Sequence, residues 1–101
     1  VDAALSPALA LLRETAHAID AAPHEDHRSA ALRARLAAEA ACEAVLYHVT
    51  RALGAGPLCH DPYLARAIAD LPVFLRQSHA ERDQAVLAQW LHNMPEPSWL
   101  P

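Results

Sequence analysis

The side chains in this chain that could do chemistry fall in a few short clusters. Of the 7 histidines, His24 and His27 flank Glu25 and Asp26. Imidazole and carboxylate together are the donors a metal ion takes. A catalytic zinc site, however, needs three oriented protein ligands in a shielded setting, and no HExxH or CxxC motif is present. The pair reads as a solvated polar connection, and no metal site is expected. Cys59-His60-Asp61 is similarly rich in donors, but neighbours in sequence point in different directions. Glu39 and Glu43 stand one helical turn apart. Di-iron bundles join such carboxylates to two Glu-x-x-His motifs on other helices, which this chain does not supply, so the two read as exposed helix charges. Ser78-His79-Ala80-Glu81 brings a hydroxyl, an imidazole and a carboxylate together. A nucleophilic triad needs them in series with an oxyanion hole, and no GxSxG elbow exists. Gly54-Ala55-Gly56 lacks the Lys and Ser/Thr of a phosphate loop and follows a helical pattern. By itself it reads as a helix stop.

The elements that must position these groups are helical throughout. A first helix is predicted over residues 4–22, with Ser6 as cap, Pro7 at the first helical position and Leu9, Leu12, Ala16 and Ile19 as its apolar stripe. Pro23 ends it. A second helix is predicted over 26–53, buried through Leu32, Leu36, Ala40, Val45, Leu46, Val49 and Leu53, with Arg35 and Glu39 paired on a flank. The turn at 54–57 stops it. A third helix is predicted over 62–77, capped by Asp61 and Pro62, with Leu64, Ile68, Leu71 and Leu75 inward and, because of Pro72, a kink or short break near Asp70 and Leu71. A fourth begins at His79 or Ala80 and runs to Asn93, with Ser78 and Glu81 as a capping box and Val86, Leu87, Trp90, Leu91 and Met94 inward. Residues 95–101 form a Pro-rich tail whose Trp99 either packs back or meets a partner. The fold expected is all-α, an antiparallel up-down four-helix bundle over residues 1–94.

Composition agrees. Of 101 residues, 53 % are hydrophobic but only 5 % aromatic, Gly occurs 2 times, and alanine makes up roughly a quarter. Small side chains allow close helix approach and leave shallow grooves, so part of the apolar surface is expected to meet another chain or domain. A net charge of −4 argues against nucleic acid as partner. No apolar run is long enough to cross a membrane, and the first residues show no basic region before an apolar core, so a cytoplasmic location is expected. Cys42 and Cys59 are expected to be free thiols.

The stretch from Arg51 to Asp83, RALGAGPLCHDPYLARAIADLPVFLRQSHAERD, resembles the last third of the acyl-CoA dehydrogenase C-terminal domain, and helix lengths and turn agree across about residues 31–83. The family's Gly-rich turn falls on 54–57, with Gly54 matching, and its Asp falls on Asp70. The resemblance implies a helical bundle that packs against a flavin. Arg51, at the family's glutamine position, and the turn backbone at Gly54 and Gly56 would then help bind the FAD of a neighbouring subunit. The position that carries the catalytic glutamate in many members holds Ser78. Some members place that glutamate on another helix, where Glu39 and Glu43 are available here, and related flavin monooxygenases place a His near this loop, which points to His79 as the catalytic candidate. The chain begins at Val1 and its one Met is Met94. The expectation is therefore a piece of a larger flavoprotein, or a small diverged subunit, that binds FAD only with the remaining domains or subunits, in a homo-oligomer. The rival expectation is a non-catalytic helical dimerisation or interaction module. A metal-binding helical protein using His24 and His27 is a third.

Overall fold

The computed structural model describes residues 1–94; the expectations for residues 95–101, including Trp99, lie outside it. Among the described residues the chain is all-α, with five helices and no strand. Helix α1 spans Asp2–Ala21, α2 Arg28–Leu53, α3 Ala55–His60, α4 Pro62–Leu75 and α5 Ala80–His92.

Three boundaries follow from local chemistry. The Asp61 carboxylate accepts from the backbone N–H of Tyr63 and of Leu64, both at 3.0 Å, and so caps α4. The Asp26 carboxylate accepts from the N–H of Arg28 at 3.0 Å just before α2. Gly54 ends α2 with φ 67° and ψ −167°, a conformation essentially restricted to glycine. Its N–H donates to the Thr50 carbonyl at 3.1 Å. A Cβ on Gly54 would meet nothing within 4 Å, so backbone conformation, and not crowding, demands glycine here.

Other expectations are corrected. Helix α1 starts at Asp2, with Pro7 inside it. Proline forfeits one backbone bond there, to Ala3, and the helix tolerates that loss. The turn after Gly54 does not stay open. It coils into α3, which contains Gly56, Pro57 and Cys59. Pro57 lies in the first turn, where its missing N–H has no helical partner in any case. Pro72 does not break α4, which continues to Leu75. The capping box at Ser78 does not form: His79 is the N-cap of α5 without a side-chain bond, and the Ser78 hydroxyl donates elsewhere.

Helix α2 is the hub of the fold. Each of α1, α3, α4 and α5 packs on it, whereas among the described residues α1 touches only α2, and α4 and α5 do not approach each other. The ring of neighbour contacts that closes a four-helix bundle is therefore not made, and α3 is a helix beyond the expected four. The molecule is long, 53 × 27 × 26 Å, with a radius of gyration of 16.7 Å, against about 13 Å for a compact chain of this length.

The buried residues show why. Among the described residues they are Ala8, Thr15, Ala34, Glu39 and Ala41, and no large side chain there is fully enclosed. On α1 the buried Ala8 and Thr15 lie one helix face with the half-buried Ala4 and Leu11, at helical spacing. The expected stripe of Leu9, Leu12, Ala16 and Ile19 is exposed instead. Hydropathy alone favours the leucines; close approach of two helices favours alanine. On α2, Ala40 and Leu53 are also exposed, contrary to expectation. On α5, Val86, Leu87, Trp90 and Leu91 are half-buried as expected, while Met94 beyond it is exposed.

Candidate functional site

The densest polar arrangement lies where α2 meets the corner between α4 and α5. Glu39 sits in an alanine run of α2, with alanines at 37, 38, 40 and 41. Its position in the helix aims it inward, and its side chain is 8 % exposed. The expectation that Glu39 and Glu43 are both exposed holds only for Glu43. A buried carboxylate needs partners, and the corner supplies them. The Ser78 hydroxyl donates to Glu39 Oε2 at 2.9 Å, and Arg76 Nη1 donates to Oε1 at 3.3 Å. Arg76 Nη2 reaches on to Glu43 at 2.8 Å. Arg35 stands 3.9 Å from Glu39 and pairs with Asp83 of α5 at 3.1 Å. Bonding to Glu43 first, and proximity to Glu43 and Glu39 after it, raises the Arg76 guanidinium above its ordinary pKa.

The network ties three helices together. Arg76 lies just past α4, held by its N–H to the Pro72 carbonyl at 3.1 Å, so the end of α4 delivers both Arg76 and Ser78. Two guanidinium groups face three carboxylates, Glu39, Glu43 and Asp83, leaving the cluster one negative charge in excess. It borders a cleft of about 440 Å³ whose apolar walls include Ala38, Cys42, Phe74 and Leu75. A cleft of this size suits a small organic group, and Glu39 with Ser78 puts one carboxylate and one hydroxyl at its wall.

The residues singled out from the sequence divide between two places. Arg51, Gly54 and Gly56 gather at the junction of α2 and α3, all exposed. The Arg51 guanidinium lies 5.1 Å from the centre of the Tyr47 ring, and Tyr47 meets His48 edge-on at 5.2 Å. His79 stands at the corner beside Ser78 and is exposed. Glu39 and Arg51 are twelve residues apart along α2, which is about 18 Å of helix.

Sequence reasoning did not find Arg76 or Asp83, nor the inward aim of Glu39. Arg76 and Ser78 are 37 and 39 residues from Glu39, so no local spacing links them. The one available signal was an acidic residue embedded in alanines at a core-facing position.

The remaining clusters do less. His27 Nε2 lies 2.7 Å from the Ala22 carbonyl and His24 is exposed. The single Glu-x-x-His run, Glu14 to His17, is exposed on α1. Among the described residues no three His, Cys, Asp or Glu side chains are grouped to hold a metal ion. Cys42 and Cys59 are free thiols. No helix among the described residues is long and apolar enough to cross a membrane.

No protein-family model, curated protein or solved structure matches the chain.

Proposed function

We propose that this chain is the C-terminal helical domain of an acyl-CoA dehydrogenase-like flavoprotein, an oxidoreductase acting on the CH–CH bond of acyl thioesters. Its own work is subunit packing and one wall of an FAD site. The expected four-helix up-down arrangement belongs to this proposal, completed by neighbouring helices of the parent and its oligomer.

The observation that most supports the reading is the contact between Ser78 and Glu39. By resemblance, the corner after α4 is where a catalytic carboxylate belongs. Ser78 stands there and is hydrogen-bonded at 2.9 Å to a carboxylate sent from α2, beside an apolar cleft. Glu39 therefore takes precedence over Glu43, which is exposed, as the candidate α-proton acceptor, with the exposed His79 next to Ser78 in the chain. The Ser78 hydroxyl and the Arg76 guanidinium orient the carboxylate. FAD, when bound, supplies the hydride acceptor.

The residues present fit one side of a dinucleotide. Arg51 offers an exposed guanidinium suited to a pyrophosphate. At Gly54 the backbone is open to close approach, with nothing within 4 Å of the missing Cβ. The separation of about 18 Å along α2 suits an extended dinucleotide better than a compact ligand. The described residues form one wall without enclosing a dinucleotide, so the rest of the site comes from other domains or subunits.

The test is FAD binding by the polypeptide read from the whole reading frame that contains this chain, followed by flavin absorbance. About one FAD per subunit is expected, and Arg51→Glu should weaken it by roughly tenfold or more. A polypeptide that binds no FAD removes the proposal.

The rival, a non-catalytic interaction module, draws on a different observation. Leu5, Leu9, Leu12 and Ile19 are 37 to 48 % exposed along one side of α1. If substitutions of Arg51, Gly54 and His79 leave association and every flavin-linked property unchanged, the rival prevails.

A further inference from the structure

We infer that residues 55–75, helices α3 and α4 together, form a strap that swings between Gly54 and His79, and that the bonds from Arg76 and Ser78 to α2 are the latch that holds it against the cleft. The strap borders the cleft of the proposed function, yet its motion involves no flavin and is read without FAD, so either reading can fail alone.

The strap holds together as one piece. The Asp61 N–H donates to the Pro57 carbonyl at 2.8 Å while its carboxylate caps α4, so a single residue joins the two helices. Arg66 pairs with Asp70 at 2.6 Å inside α4. Among the described residues, no side chain of 55–75 makes a hydrogen bond or ion pair outside this stretch. None of its residues is buried, and Tyr63, Val73 and Phe74 are 88, 66 and 71 % exposed. Scarce buried contact marks a segment that opens before the rest of a fold does. Helix α4 approaches neither α1 nor α5. Helix α5, by contrast, is tied to α2 at both ends. Asp83 pairs with Arg35 at 3.1 Å, and the Arg28 guanidinium lies 5.6 Å from the centre of the Trp90 ring. The strap therefore moves between two points of a body made by α1, α2 and α5. Gly54 holds a positive φ of 67° and His79 caps α5 without a side-chain bond; residues at element ends absorb the backbone rotation of a hinge.

Helix lengths bring the latch to the cleft. Gly54 lies fifteen residues beyond Glu39, about 22 Å along α2. Helix α4, with 14 residues, returns the chain over about 21 Å and so delivers Arg76 and Ser78 to Glu39. One wall of the cleft is Ala38, Glu39 and Cys42 of α2; the other is Phe74 and Leu75 of the strap. Phe74 is largely exposed, so the latch, and not the packing of this ring, sets where the second wall stands. Water and salt compete for the latch. The side chains of Arg76 and Glu43 are 65 and 48 % exposed, and the bond from Arg76 to Glu39 is long at 3.3 Å. Exposed ion pairs are weak, which puts the open strap at about 0.1–10 % of molecules. Opening widens the cleft and frees both oxygens of Glu39 from the corner. A ligand that touches both walls favours the closed strap, since only that form offers it both sets of contacts.

Two thiols of the full chain report the motion. Cys42 lines the cleft and Cys59 is exposed on the strap. N-ethylmaleimide, which is uncharged, should label Cys59 first and Cys42 at a rate that opening sets. Raising NaCl from about 0.1 to 1 M shortens the screening length from about 10 to 3 Å. It should speed Cys42 about threefold, the size of an exposed ion pair, and leave Cys59 unchanged. Arg76→Ala should speed Cys42 about tenfold and remove most of the salt effect. Amides of α4 should exchange at least about tenfold faster than those of Ala34 and Ala41 in the α1–α2 seam. In low urea, Cys42 labelling should climb less steeply than exchange at Ala34 and Ala41, because opening the strap exposes less surface than unfolding the chain. Three results would each overturn the inference. The first is Cys42 labelling indifferent to salt or to Arg76→Ala. The second is exchange in α4 as slow as at Ala34 and Ala41. The third is an equal urea slope for Cys42 and the seam, which would mean that the whole fold opens and not the strap. Salt, urea and exchange are all read on the unaltered chain, so the outcome stands even if Arg76→Ala fails to fold.

Discussion

Helix α2 is gripped on two sides by opposite means. Towards α1, whose buried residues are Ala8 and Thr15, it offers Ala34 and Ala41, which are 2 and 4 % exposed. Towards the α4–α5 corner it offers Glu39, held by Arg76 and Ser78. The first seam works by closeness: small side chains let backbones approach and many weak contacts accumulate. The second works by a few directed bonds to one buried charge. The difference teaches that a chain short of large buried side chains can still fix its helices. It does so with space-saving residues along one seam and a polar anchor at the other, while Leu5, Leu9 and Leu12 of α1 stay exposed.

If that contrast is right, the two seams respond differently to added volume and to lost charge. Ala34→Leu forces four-carbon bulk into the tight seam and should lower stability by about 2–3 kcal/mol, read as a shift of the urea midpoint. A loss below about 0.5 kcal/mol would mean the seam is loose and the contrast false. Glu39→Ala should lower stability by about 2 kcal/mol, since it removes hydrogen bonds to a buried charge. Glu39→Leu, which fills the same space without charge, should come close to neutral. Equal losses for Ala and Leu at this position would show that the carboxylate itself is required. Gly54→Ala belongs to neither seam and serves as a control. It forces a side chain into a glycine-only conformation and should cost about 1–2 kcal/mol without altering the response of either seam.

The smallest effect lies at the start of α2. Hydrogen bonds from the Arg28 guanidinium, and then from its N–H, lower the Asp26 carboxyl from 3.8 to about 2. A depressed carboxyl contributes stability above its unfolded value, and that contribution fades as pH falls from near 3.8 through about 2. Asp26 is exposed to solvent, so the change is seen best in the residue's own titration by NMR. Its midpoint should lie near 2, and Arg28→Ala should raise it towards the ordinary carboxylate range, with the backbone N–H bond still holding it somewhat below. A midpoint already ordinary in the unaltered chain would remove Asp26 from the account of how α2 begins.

Much of the helical plan could be read from sequence, because its signals are local. Asp61 before Pro62, Gly54 after a long apolar pattern, and the inward residues of α5 each act within a turn or two of their own position. What could not be read is tertiary. Helix α1 carries two faces with the same alternating spacing, one of leucine and one of alanine and threonine. Only the presence of α2 decides which is covered. Glu39 looked like a surface partner of Arg35, because the arginine and hydroxyl that hold it lie beyond α4. Of the candidate site residues, Arg51, Gly54 and Gly56 do share one junction, but the corner near His79 is organised by Glu39, Arg76 and Ser78.

The central claim is that a polar anchor on the buried Glu39, and not a large apolar core, fixes the α4–α5 corner on α2. Urea unfolding of the chain, of Glu39→Ala, of Arg76→Ala and of the double variant tests it most directly. The account predicts that the two losses are not additive, with a coupling of about 1 kcal/mol or more. Strictly additive losses would contradict it.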